Sequence, residues 1–306
     1  MPESPRQSMS PGQGVSALQA EALGAGLPPL LVEAERVAAT VEQGVHGRRR
    51  VGAGDSFWQF RPYRAGDEIR DIDWRQSARS ARVFVREREW EAAQTVFLWV
   101  DRSASMDYAG DRRLPTKGAR AALLGLALAS LLVRAGERVG LIDRDPIGHS
   151  GRAYLLTLAE ILSRPSPPNA SLPPAAELPR DCRAVIVGDL LRPEAELIRL
   201  VEGFAARGVR GHLVQVLDPA EVDFPFTGRN RFVGLEGEGN LLIGRAESLA
   251  EAYRERLAAH RDGVERLARR TGWTVIQHRT DHSPSPALLA LFLALADLGQ
   301  RSLGRR

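Results

Sequence analysis

Asp101, Ser103 and Ser105 sit two residues apart directly after the apolar run Thr95–Val100. An aspartate and two serines so spaced in a tight loop can turn three oxygens towards one point. Oxygen-only ligands suit a hard cation, and a compact set of this kind suits octahedral Mg²⁺, or Mn²⁺ in its place, with some positions left to water. A second carboxylate, Asp189, follows another apolar run, Ala184–Val187, with Gly188 between them. Ser150, in Gly148-His-Ser150-Gly151, is a candidate hydroxyl from a further loop. Two carboxylates roughly neutralise such an ion, and serines add ligands without charge. The metal then stays electrophilic towards a carboxylate from outside, which favours grip over turnover. The competing reading of the Asp101 loop is a helix-capping turn, because Asp and Ser bond readily to nearby backbone. Asp107 and Asp111 fit a solvated turn.

Other chemistry lacks its residues. A hydrolase elbow at Ser150 needs glycine two positions on, where Arg152 stands. A phosphatase-type nucleophile pair needs a second aspartate where Ser103 stands. Gly52-Ala-Gly54 starts like a dinucleotide loop but reaches Phe57 where glycine is required. Lys117 is followed by Gly118, so there is no phosphate loop. Cys182 is the only cysteine, which excludes an internal disulfide and a cysteine zinc cage. The six histidines are scattered.

The elements that must hold these residues follow from the apolar pattern. Leu30, Leu31, Ala34, Val37, Ala38 and Val41 recur at helical spacing after Pro28-Pro29. From Thr95 onward, apolar strands (95–100, 138–142, 184–187, 212–217, 274–277) alternate with helices (118–133, 153–162, 194–206, 246–270, 286–298). Alternation of this kind means a mostly parallel, doubly wound α/β sheet covered by helices on both faces. Phe232–Ile243 reads as a hairpin through Glu238-Gly239-Asn240. In open α/β sheets ligands sit beyond the carboxyl ends of the strands where strand order reverses, and Asp101 and Asp189 both follow strands.

Residues 48–91 have another texture: 11 arginines and 8 acids, interleaved with aromatic residues. The stretch Arg61-Pro-Tyr63-Arg-Ala-Gly66-Asp67-Glu-Ile-Arg70-Asp-Ile-Asp73-Trp74-Arg75-Gln-Ser-Ala-Arg79, with Val85-Arg86 and Glu91, resembles the hallmark of the bacterial domain of unknown function 58 family. Tyr253, His260, Gly272 and Thr280-Asp281 fit the same family, so the resemblance covers roughly residues 45–298. Asp-x-Ser-x-Ser after a buried strand is similar to the metal-ion-dependent adhesion site of von Willebrand factor A domains. The resemblance implies a von Willebrand factor A-like sandwich, preceded by an irregular, β-containing, arginine-rich segment. It also implies a MoxR-type AAA+ ATPase as partner, in the assembly or remodelling of a client protein. Von Willebrand A sites usually add a threonine from a second loop and a Ser-Asp pair, where this chain has Ser150 and Gly188-Asp189. The arginine-rich block reads as an internal network of bidentate Arg–carboxylate pairs, or as a docking surface.

The expected organisation is a leading segment with one helix over 1–47, the arginine block over 48–92 and the α/β domain over 93–300. The net charge of +4 is small. Acid and proline at the start do not make a signal peptide. The longest apolar stretch, Ala121–Val133, is 13 residues, short of the roughly 20 that span a bilayer. The expectation is a cytoplasmic, non-enzymatic, metal-dependent protein-binding module. Its rivals are nucleic-acid binding through segment 48–91, by guanidinium and aromatic stacking on bases, and a metal-dependent hydrolase with Asp143 or Asp145 as base.

Overall fold

The computed structural model describes residues 28–46, 59–63, 72–79, 82–87, 93–145, 147–164, 171–191, 194–235, 237 and 239–303. The chain forms two compact units, one of residues 43–93 and one of residues 1–42 with 94–306.

Helix α1 (Pro29–His46) buries Leu31, Ala34, Ala38 and Val41, the stripe its apolar spacing predicts. In the smaller unit, β1 (Gln59–Pro62) pairs antiparallel with β2 (Phe84–Glu87), and between them lies one turn of helix, α2 (Trp74–Ser77). The Ser77 hydroxyl ties this unit together locally. It donates to the Asp73 carbonyl at 2.7 Å and accepts from the Phe84 amide at 2.9 Å.

The larger unit continues with β3 (Thr95–Val100), α3 (Lys117–Arg134), β4 (Arg138–Leu141), α4 (Arg152–Leu162), β5 (Arg183–Gly188) and α5 (Glu194–Ala206). Next come β6 (Arg210–Leu217), α6 (Pro219–Asp223), the hairpin β7 (Asn230–Val233) and β8 (Asn240–Ile243), α7 (Ala250–Thr271), β9 (Thr274–Arg279) and α8 (Pro284–Leu303). Five strands form one parallel sheet in the order β4-β3-β5-β6-β9. Alternation along β3 divides the core. Phe97 and Trp99 pack with Leu197, Val201 and Phe204 of α5 and with Val264, Leu267 and Ala268 of α7. On the opposite face, Val100 meets Gly125 of α3 so closely that a Cβ there would lie 2.7 Å from Val100 Cγ2. Helices α4 and α8 flank α3. Helix α3 is mostly Ala and Leu. It starts where the Thr116 hydroxyl accepts from the Ala119 amide, and it ends just before Gly136, at φ +84°.

The chain passes from β3 outward to β4, then returns to the other side of β3 with β5. Strand order therefore reverses between β3 and β5, which opens a crevice beyond their carboxyl ends. Observed boundaries differ from the sequence expectation by a few residues at most. The expected helix over 246–270 begins with a 3₁₀ turn, Ala246–Leu249.

Candidate functional site

Strands β3 and β5 are neighbours, with Val100 opposite Val187, and the Asp101 amide donates to the Val187 carbonyl at 2.8 Å. Asp101 and Asp189 therefore leave the sheet side by side at its switch point. Both are buried. Asp101 Oδ1 accepts from the Ser103 amide at 2.8 Å, the local turn that the capping alternative expects. The remaining oxygens face one another: Ser103 Oγ lies 3.2 Å from Ser105 Oγ, and Ser105 donates to Asp189 Oδ2 at 3.1 Å. Gly188 is needed for this approach, because a Cβ there would stand 2.9 Å from Asp101 Cβ. The missing serine before Asp189 thus has a steric cause.

Neighbouring ligands of an octahedral Mg²⁺, each about 2.1 Å from the ion, are about 3 Å apart. The Ser103–Ser105 and Ser105–Asp189 oxygen pairs have that spacing. No group of three or more His, Cys, Asp or Glu converges on a metal site among the described residues, so a cation here depends on the serine hydroxyls.

A third participant is Lys117, the first residue of α3 and one of the most buried large side chains of the protein. Its ammonium donates to Asp189 Oδ2 at 2.9 Å and to Glu221 Oε1 at 2.6 Å. Burial works against the charged amine, but Asp189 and Glu221 outweigh it and hold the lysine above its ordinary pKa. Burial likewise pushes Glu221 up, with Lys117 opposing. Glu221 is fixed by a capping box on α6: the Asp218 amide donates to Glu221 Oε2, while Asp218 Oδ1 accepts from the Ala220 amide. Gln215 Nε2 holds the Asp189 carbonyl at 3.0 Å.

Two of the three left-handed non-glycine residues among those described lie at this end, the third being Asp181 ahead of β5. Leu190, directly after Asp189, has φ +56°, and Phe224, which ends α6, has φ +47°. Left-handed non-glycine residues cost on the order of 1–3 kcal/mol and persist only where surroundings over-determine them. His260 does so for Leu190, donating from Nε2 to its carbonyl at 2.7 Å. Between these features lies a cavity of about 640 Å³. Ser105, Lys117, Asp189 and Glu221 form its polar floor, and Phe224, Phe232 and Tyr253 belong to its wall. A second cavity of about 620 Å³ reaches Ser103 and Arg102 from the far side of the loop. Arg102 anchors that loop by donating to the carbonyls of Ile161 and Arg164 at the end of α4.

Ser150 does not join the site, and its assignment as a metal ligand is corrected. After β4 the chain turns back, and His149 bridges antiparallel to Val139. Gly148 approaches Thr95, the first residue of β3. Ser150 therefore lies near the amino end of β3, roughly 17 Å of strand away from Asp101. Asp145 is held on the edge strand by the Tyr154 hydroxyl and the Leu141 amide.

In the arginine block, Arg61 stands in β1 opposite Val85, Asp73 is buried, and Tyr63, Trp74, Arg75 and Arg79 are exposed. Gly66, Asp67 and Arg70 lie outside the described residues. Sequence reasoning missed Lys117 and Glu221 as site residues. Two signals were available: Lys117 is the sole lysine in an arginine-dominated chain, and Asp218-Pro-Ala-Glu221 spells a capping box.

Comparison with known proteins adds a family. The family model described as "Protein of unknown function DUF58" matches residues 59–263. Uncharacterized proteins of Mycobacterium bovis and Mycobacterium tuberculosis are 28% identical over 246 residues, 75% of this chain and 76% of theirs. Among solved structures, an aerotolerance-related membrane protein from Bacteroides fragilis is similar over 67% of this chain and 100% of its own, at 17% identity and a TM-score of 0.41. A conserved hypothetical protein, BatB, from Bacteroides thetaiotaomicron covers the same shares at 14% identity and a TM-score of 0.39.

Proposed function

Since the chain belongs to the DUF58 family, whose function is unknown, we propose from the geometry of its site that it is a non-enzymatic, metal-dependent protein-binding module. One observation carries the reading: Asp101 and Asp189 leave neighbouring strands at the switch point of a parallel sheet, where the Ser103, Ser105 and Asp189 oxygens are spaced as edges of a small octahedron. Asp101, Ser103 and Ser105 would hold Mg²⁺ or Mn²⁺, with Asp189 beside them. When bound, the cation supplies an electrophilic point for a partner's carboxylate. The serine hydroxyls are bonded to each other and to Asp189 rather than to a histidine, which favours holding over nucleophilic chemistry.

In this reading the fold is of the von Willebrand factor A type, and the partner is a MoxR-type AAA+ ATPase acting on a client protein. No helix among the described residues is long and apolar enough to cross a membrane.

A metal-free form of the same reading has its own support. The Lys117 ammonium already stands against Asp189, so the floor carries a resident cation that needs no exchange with solvent.

Calorimetric titration with Mg²⁺ and with Mn²⁺ separates the two, using the full chain beside Asp101→Ala and a Ser103→Ala/Ser105→Ala variant. Saturable binding lost in both variants is the expected outcome. Binding that survives in the variants, or none in the parent, removes the metal and leaves the lysine-based form. Loss of ATPase co-purification in the same variants is the corresponding expectation for the partner.

A further inference from the structure

The cavity beside the Asp101 loop joins two surfaces of different chemistry. Its walls are aromatic: Phe224 stacks at 5.9 Å on Phe232, lies 4.8 Å from Tyr253, and meets Phe226 edge-on at 5.2 Å. Its rim is aliphatic and open to solvent, with Leu241 59% and Leu235 46% exposed, and Leu191 and Leu249 exposed as well. Exposed aliphatic side chains around one concavity mark a place where apolar surface is covered by something else.

The floor decides what that is. Lys117 is the only basic side chain among the described lining residues, and it faces two carboxylates, Asp189 and Glu221. Asp218, fully buried, lies just behind Glu221. The carboxylates therefore outnumber the ammonium. Burial is the main cause of the shifts of the two phenols, and after it the carboxylate charges outweigh that of Lys117. Burial, then the charge of Glu221, pushes Tyr253 up to about 12, with Lys117 opposing less strongly. Tyr108 is raised in the same sense by burial, Asp218 and Glu221. Aromatic faces above a negative floor attract a cation through the ring quadrupole and through direct charge.

Resting on the reading of the chain as a protein-binding module, we propose that this cavity receives an amphipathic segment of the partner, placing an arginine or lysine over the Glu221–Asp189 floor and leucine-like side chains on the Phe232–Leu241 rim. This contact adjoins the carboxylate grip at the Asp101 loop, sharing Asp189 with it, and it requires no metal. The partner then presents both signs of charge, acid at the loop and base in the cavity, which fixes its orientation as well as its identity.

The test uses three fluorescein-labelled, end-capped, leucine-rich peptides that differ only at a central position: arginine, its neutral isostere citrulline, or glutamate. Anisotropy titrations against the full chain are run with Mg²⁺ and again in EDTA. The arginine peptide is expected to bind saturably, about tenfold tighter than the glutamate peptide and measurably tighter than the citrulline one, in EDTA as well as with Mg²⁺. Glu221→Gln should narrow the arginine–citrulline difference. Leu241→Arg, at a solvent-exposed position that leaves the core untouched, should weaken the arginine peptide by about tenfold. Equal binding of the three peptides, absence of saturable binding by the arginine peptide, or full retention in Leu241→Arg overturns the proposal. The arms also separate it from the metal reading. Peptide binding in EDTA beside a failed Mg²⁺ titration keeps the cavity contact and removes the metal; the reverse removes only the cavity contact.

Discussion

The two ends of the same five strands differ in how much charge and strain they bury. At the amino end the Trp273 ring lies over Gly211, where a Cβ would stand 2.4 Å from the ring, and the indole donates to the Val209 carbonyl. His212 is buried and shares a 2.7 Å hydrogen bond with Thr274. At the carboxyl end the same sheet buries Asp101, Asp189 and Lys117, strains Leu190 and Phe224, and leaves an open cavity. One end is closed largely by packing and neutral hydrogen bonds, with Arg183 as a buried charge and Asp181 as a left-handed residue. The other holds more charges that cost desolvation energy, and two of the three left-handed non-glycine residues among those described. Such costs persist where an arrangement serves something other than stability, and parallel strands place it at the carboxyl end because the loops there can vary without disturbing the sheet.

The sharpest way to break this contrast is Lys117→Met. It leaves Asp189 and Glu221 facing each other in a buried site, and removal of one partner of a buried ion set costs about 3–5 kcal/mol. Urea unfolding of the variant measures it, and a companion Lys117→Met/Glu221→Gln chain should recover part of the loss. A change below about 1 kcal/mol would mean that the network is solvated and the contrast between the ends is false.

Acid probes the amino end. Burial first, then the Arg183 charge, depresses His212 to about 4. The folded state therefore holds the neutral ring while the unfolded chain, near pH 6.5, takes up a proton. The His212 contribution is fully present above about 6.5 and is lost as pH falls through about 4, amounting to at most about 3 kcal/mol. Unfolding midpoints of the parent and His212→Gln between pH 7.5 and 4 should converge on acidification. Parallel curves would contradict the shift.

Gly211→Ala sharpens the comparison at intermediate cost. It drives a methyl into the Trp273 ring and should destabilise by about 1–3 kcal/mol. Affinity for Mg²⁺ and for the arginine peptide should stay unchanged, since both belong to the other end. The smallest effect is expected of Leu241→Arg on stability, within about 0.5 kcal/mol, because its side chain lies largely in solvent. A larger loss in thermal denaturation would make the aliphatic rim part of the core.

Much of the frame is legible in the order of residues along the chain. Apolar runs of strand length, separated by helix-length amphipathic segments, leave a parallel sheet as the way to bury both faces, and the expected strands and helices are found in order. The pairing of Asp101 with Asp189 is legible only conditionally, because it requires β3 and β5 to be neighbours. Ser150 is misplaced by sequence because a serine just before a helix resembles one at a strand's carboxyl end. Whether the chain doubles back ahead of that helix, as the Val139–His149 bridge makes it do, leaves little mark in the pattern.

By itself the sequence determined the α/β class, the order of its elements and the Asp-x-Ser-x-Ser loop, since each depends on residues close along the chain: periodicity, capping and local hydrogen bonds. Tertiary structure alone decided that Lys117 faces Asp189 across 72 positions and Glu221 across 104, and that aromatic residues from several elements wall one cavity. Charge pairing and cavity shape depend on distance in space, and only the closing of the sheet brings those groups together.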